Sequence, residues 1–266
     1  MLVVLLPASA KKRDDIKYDQ KNNVAYGEYE RCVMDIYYPK NVENAPVVVW
    51  FHGGGLVGGN KYIPEQLKNS GLVVVAANYH FMTKASAAAN TPEDQFVPIS
   101  QCIDDAAMCV AWVKENISKY NGNPDRIFVA GHSAGGFLTS MLGLDKKWLE
   151  KYGVDADTIR GYAPFSGQAV THYEQRGING IPATTPDIDE FAPIRYVRSD
   201  AAPFLIISGD REMELYGRYE EQAYFWRMLK VCGHKDVSLY EMQGYNHGDM
   251  PAPGFHILKA FIKRLK

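Results

Sequence analysis

A serine flanked by glycines, Gly131-His132-Ser133-Ala134-Gly135, follows directly on the β-branched and aromatic run Arg126-Ile-Phe-Val-Ala130 and precedes a helix-compatible stretch, Phe137 to Leu142. A G-x-S-x-G pattern in that setting predicts a sharp strand-to-helix turn that holds one hydroxyl clear of the chain. Glycines are needed there because neighbouring backbone comes too close for a Cβ. Ser133 is therefore the candidate nucleophile for acyl transfer. The pattern also arises by chance in Gly/Ser-rich turns, but the strand before it and the helix after it argue against that reading. Far upstream, Pro46-Val-Val-Val-Trp-Phe51 reads as a buried strand and ends at His52-Gly53-Gly54-Gly55. Glycine N–H groups in such a loop can point at a developing negative oxygen, a contribution of about 3–4 kcal/mol per donor. Gly54, Gly55 and Ala134, the residue after the nucleophile, are the candidate oxyanion donors. A phosphate-binding loop is the competing reading, yet the chain has neither a Gly-Lys-Ser/Thr ending nor a G-x-G-x-x-G opening a helix there.

With both motifs the chain resembles the α/β-hydrolase superfamily, and within it the serine carboxylesterases that carry HGGG and G-x-S-A-G-G, the hormone-sensitive-lipase-like and acetyl- or feruloyl-esterase-like groups. In that family the HGGG loop forms the oxyanion hole. Asn78-Tyr79 at the end of Leu72–Ala77, and Asp105-Ala-Ala-Met-Cys-Val-Ala-Trp-Val113, look like the strand and helix that precede the family's elbow, so the likeness covers nearly the whole chain. His132 is a departure: many hormone-sensitive-lipase-like members have Asp there. The resemblance implies a triad in the order Ser, acid, His, with the last two on loops after later strands. Val237–Met242 alternates like a strand and leads into Gly244-Tyr-Asn-His247-Gly-Asp-Met250, where the family keeps its base. Of the seven histidines, only His247 has this order and a glycine-flanked loop. The acid-bearing strand is Pro203–Ser208, followed by Gly209-Asp210-Arg211-Glu212-Met213-Glu214, where three carboxylates compete for one role. The family spacing G-x-x-D/E falls on Glu212, and Asp210 is the alternative acid. Arg211 reads as a structural ion-pair partner.

The positioning elements follow an α/β alternation. Val24–Glu30 and Arg31–Tyr37 read as an opening antiparallel pair. Apolar runs at 46–51, 72–79, 126–131, 159–165, 203–208 and 237–242 then complete an eight-stranded, mostly parallel sheet, the α/β-hydrolase fold. Helices at Ile99–Tyr120, Arg218–Val231 and 253–265 would cover both faces. Between 165 and 200 the periodicity is lost. That stretch reads as a cap-like insertion rather than a helix, and Gln168, His172, Tyr173, Glu174 and Arg176 are placed to line the pocket or to make a surface excursion. The chain thus divides into an N-terminal arm or leader remnant, 1–15, and a single domain, 16–266.

At 266 residues and 46% hydrophobic, the chain can fill one large core. Balanced charge, 29 Lys and Arg against 31 Asp and Glu, argues against a nucleic-acid partner. Four cysteines make no disulfide framework in a chain of this length, and Cys and His show no metal-ligand spacing, so no metal and no cofactor are expected. Leu2–Leu6 followed by Ala8-Ser9-Ala10 reads like the end of a signal peptide without its basic start, pointing to an exported protein, with a cytoplasmic one as the alternative. No later segment reads as a membrane span. The expected chemistry is hydrolysis of small carboxylic esters through an acyl-enzyme, with acetyl or feruloyl groups on polysaccharide as the substrate the resemblance implies. Amide or peptide hydrolysis on the same fold is the runner-up. A catalytically inactive binding protein is the alternative of a different class.

Overall fold

Period-two alternation of large apolar residues, buried on both sides, makes the central strands. In Ala45–Phe51 (β3), Val47, Val49 and Phe51 enter one core while Val48 and Trp50 enter the other. Val73–Ala77 (β4), Gly122–His132 (β5) and Phe204–Gly209 (β7) repeat the pattern. Two buried faces are what a parallel sheet with helices on each side requires. The computed structural model describes residues 15–215 and 217–265. The expected N-terminal arm or leader, 1–15, lies outside them but for Asp15.

With Tyr18–Ala25 (β1), Val33–Pro39 (β2), Gly161–Phe165 (β6) and Val237–Met242 (β8), the sheet runs β1-β2-β4-β3-β5-β6-β7-β8. β2 pairs antiparallel with both β1 and β4, and every later pairing is parallel. Ile99–Asn116 (α1), Ala134–Leu144 (α2) and Arg218–Val231 (α5) pack on one face, and Pro251–Arg264 (α6) packs on the other. Lys147–Glu150 (α3) and Tyr173–Ile178 (α4) are short.

Three expectations need correction. The first hairpin is shifted: of Val24–Glu30 only Val24 and Ala25 are strand. β1 lies earlier in the polar stretch YDQKNNVA, and the chain turns at Tyr26–Cys32, where the Tyr26 N–H donates to the Cys32 carbonyl at 2.9 Å. An edge strand with one solvated side carries little apolar alternation to read. The 165–200 segment does contain a helix, α4, whose start is capped by the His172 ring accepting from the Glu174 N–H at 3.3 Å. Third, α1 with its flanking turns does meet the length and apolarity of a membrane span. Its Ile99, Ile103, Ala106, Val110 and Val113 are buried against the sheet. That spacing is the apolar stripe of a core helix.

Candidate active site

Ser133 is the last residue before α2 and takes φ 55°, ψ −115°, a conformation disfavoured for any residue with a side chain. Its N–H donates to the Phe165 carbonyl at 2.8 Å and its carbonyl accepts from Phe137 at 2.9 Å, which fixes the turn between β6 and the first turn of α2. The flanking glycines are set by space. A Cβ on Gly135 would run into the Phe51 carbonyl, and one on Gly131 would lie 2.8 Å from the same oxygen. The end of β3 is thereby brought against the elbow, and with it the glycine loop that follows.

A Cβ on Gly53 would stand 3.3 Å from the Ser133 Cβ, so the loop runs alongside the nucleophile. Gly54 and Gly55 have φ of 121° and 65°, which favours glycine at both. Among the described residues neither of their N–H groups has a protein acceptor, and Ala134 opens α2, where the first N–H groups have no partner within the helix. Ala134 follows Ser133 in the chain, and Gly54 and Gly55 continue the loop that Gly53 brings alongside it. His52 anchors the loop from below: it stacks on Tyr79 at 4.5 Å and is 2% exposed, and burial pulls its pKa down to about 4.

His247 lies on the loop after β8, and its Nδ1–H donates to Glu214 Oε2 at 2.8 Å. The carboxylate that meets the histidine is thus neither Glu212 nor Asp210. Asp210 starts a tight turn in which its carbonyl accepts from both Met213 (2.9 Å) and Glu214 (2.8 Å), and this coil swings Glu214 inward. Glu212 is exposed, and its N–H is held by Asp210 Oδ1 at 2.9 Å. Asp210 spends its other oxygen on the Gly244 N–H at 2.7 Å, clamping the acid loop to the histidine loop. Arg211 pairs with Glu241, as its sequence setting predicts. Gly-Asp after a strand is a turn signal, and an i to i+4 turn there is the clue that would have moved the choice from Glu212 to Glu214.

The Glu214 side chain is 1% exposed. Burial raises its pKa, but His247, the Ser166 hydroxyl and the Gly209 N–H (3.0 Å) outweigh that and bring it down to about 2. An ionised, buried carboxylate fixes the His247 tautomer with the proton on Nδ1 and leaves Nε2 as the base. Sequence reasoning also missed His132. Its Nε2–H donates to the His247 carbonyl at 2.8 Å and the two rings lie 4.7 Å apart, tying the histidine loop to the elbow. Burial and the neighbouring His247 push the His132 pKa down to about 4, so it acts as a neutral donor.

Gln168, Tyr173, Arg176, Ala183, Leu215 and Arg218 line a cavity of 230 Å³. Three of the five insertion residues singled out in the sequence line it. His172 instead packs in the interior against Phe137, and Glu174 accepts from the Ala85 N–H at 2.9 Å. Away from this site, Cys32, His80 and Asp105 bring possible ligand atoms within 4.8 Å of one another, a grouping that sequence spacing could not reveal. Asp105 accepts from the His80 N–H (2.7 Å), the His80 ring (2.6 Å) and Gln101 (2.9 Å), so the cluster reads as a hydrogen-bonded pin between α1 and the loop after β4.

Comparison with known proteins agrees with this architecture. An isoprenylcysteine alpha-carbonyl methylesterase of Arabidopsis thaliana is 28% identical over 86% of this chain and 57% of its own length. The esterase LipC of Mycobacterium tuberculosis is 26% identical over 87% and 60%. The chain therefore spans little more than half of these relatives. A truncated carbohydrate esterase from gut microbiota superposes with a TM-score of 0.74 at 17% identity, covering 93% of this chain and 96% of that one. Such a likeness establishes the α/β-hydrolase fold. Residues 34–215, well over half the chain and inclusive of the glycine loop, the elbow and Glu214, match the BD-FAE family, and the chain belongs to it.

Proposed function

We propose that the protein is a serine hydrolase that cleaves small carboxylic esters through an acyl-enzyme. The observation that carries this is the 2.8 Å contact from the His247 ring to buried Glu214, beside a serine held in a strained elbow. Ser133 Oγ attacks the ester carbonyl carbon as His247 Nε2 takes its proton. The carbonyl electron pair moves to the oxygen, which the Gly54, Gly55 and Ala134 N–H groups receive. On collapse the C–O bond to the alcohol breaks and His247 returns the proton to the leaving oxygen. Water then repeats the sequence on the acyl-enzyme, releasing the acid and restoring Ser133. Glu214 stays ionised throughout and stabilises the imidazolium.

Family membership and the esterase names among the relatives support ester rather than amide substrates. Retention of serine, histidine, acid and oxyanion glycines together supports an enzyme over an inactive binding protein. Within esters, acetyl or feruloyl groups on polysaccharide are the finer proposal, supported by the family alone and tested by release of acetate or ferulate from decorated xylan. The test of the main reading is hydrolysis of p-nitrophenyl acetate together with labelling by a fluorophosphonate. Turnover and labelling that both vanish in Ser133→Ala are expected. A wild type that is neither labelled nor active would leave the binding-protein reading in front.

A further inference from the structure

The cavity lined by Tyr173 and Leu215 holds two buried arginines, one of which makes no ion pair. It lies between the oxyanion loop, where a Cβ on Gly55 would strike the Tyr173 hydroxyl, and the acid loop, which contributes Leu215 next to Glu214. Arg176 and Arg218 both line it, and each is only 5% exposed. Arg218 has a carboxylate neighbour, Glu221 at 3.8 Å, and donates to the Ser166 carbonyl. Glu221 is itself engaged by the N–H groups of Ala169 and Val170, the latter at 2.8 Å. Arg176 differs. Among the described residues no carboxylate stands within ion-pair distance of it, and Glu221 and, less strongly, Asp187 act on it only from farther away. One of its nitrogens donates to the Thr185 carbonyl, while its Nε is buried with no partner. Nearby His172 is held neutral by burial and by the two guanidiniums, so it adds no charge of either sign.

The two guanidiniums thus share Glu221, with Asp187 farther off, and Arg176, which makes no ion pair, borders both this cavity and an adjoining space of 370 Å³ lined also by Thr184, Gly217, Glu221 and Tyr224. A buried guanidinium with an unpartnered N–H and no carboxylate in contact is costly unless an anion completes it, and its planar fork matches a carboxylate. Resting on the ester-hydrolase reading, we propose that the preferred substrates are esters bearing a second, free carboxylate, which Arg176 binds in this cavity while Ser133 attacks the ester. Arg176 changes no bond in the reaction; it selects and orients.

The test compares isosteric pairs that differ only in charge: 3-acetoxybenzoate against 3-acetoxybenzamide for a carboxylate on the leaving group, and phenyl hydrogen glutarate against phenyl glutaramate for one on the acyl group. The anionic member of at least one pair is expected to win in kcat/KM by about tenfold or more, the worth of one hydrogen bond to a charged group. That preference shrinks as salt is added, disappears in Arg176→Gln and is partly kept in Arg176→Lys. Melting curves of both variants check that they fold. Hydrolysis of the neutral esters with no anionic preference in either pair overturns the carboxylate site and leaves the hydrolase reading standing. Should no ester be turned over, calorimetry with glutarate decides separately: binding that is lost in Arg176→Gln sustains the site, and no binding overturns it.

Discussion

His132 shows how one side chain can serve the reaction without touching substrate. It sits at the variable position of the elbow motif, where its backbone is committed to the turn, and its ring reaches to the carbonyl of His247 at 2.8 Å. The low pKa, about 4, keeps it a single-proton donor through the neutral range. His132 is therefore a positioning residue for the base. Replacing it with Phe keeps the ring and removes the donor, and kcat is expected to fall about tenfold with KM little changed, the worth of one buried hydrogen bond. His132→Gln should recover part of the loss, because its amide can still donate. A change confined to melting temperature, with kcat intact, would reduce His132 to a packing residue.

At the level of elements, legibility followed backbone constraint. The central strands and the elbow were readable because burial on both faces forces apolar runs, and close approach forces glycine. Hence 46–51, 126–131 and 237–242 fall on β3, β5 and β8 with small shifts at their ends. β1 was not readable, since a polar edge strand shares its composition with loops. Helix α4 was hidden for a related reason: six residues are too short to show a period, and its start is fixed by a histidine cap made only in the fold. The acid was misplaced because counting from Gly209 assumes an extended loop, whereas Asp210 coils it. The packing at the elbow yields its own prediction. Gly135→Ala would drive a Cβ into the Phe51 carbonyl, so it should cost about 3 kcal/mol or more in a urea titration or fail to give soluble protein. Gly248→Ala, whose Cβ would meet only the Asn246 side chain at 3.5 Å, should move the urea midpoint little.

Over the whole molecule, the buried histidines and Glu214 make acid the natural denaturant. His52 and His132 have folded pKa values of about 4 against 6.5 unfolded, so the unfolded chain binds more protons between those limits. Their contribution is complete above about pH 6.5 and is lost as pH falls towards 4. Glu214, lowered from 4.5 to about 2, adds stability that is complete above 4.5 and is lost as pH falls towards 2. Melting temperature should therefore drop by about 10 °C between pH 7 and pH 5, from the two histidines. A flat curve over that interval would mean that they are hydrated or already charged. The same long-range assembly makes the site: Glu214 from the loop after β7 meets His247 from the loop after β8, and His132 ties that loop to the β5–α2 turn that carries Ser133, only when the sheet is complete. The most direct measurement of that constellation is kcat/KM on p-nitrophenyl acetate for Glu214→Gln and Glu212→Gln beside the wild type. A fall of about 10⁴ in Glu214→Gln, with Glu212→Gln within a few-fold of wild type, is the predicted result. Loss of activity in Glu212→Gln with Glu214→Gln left active would contradict it.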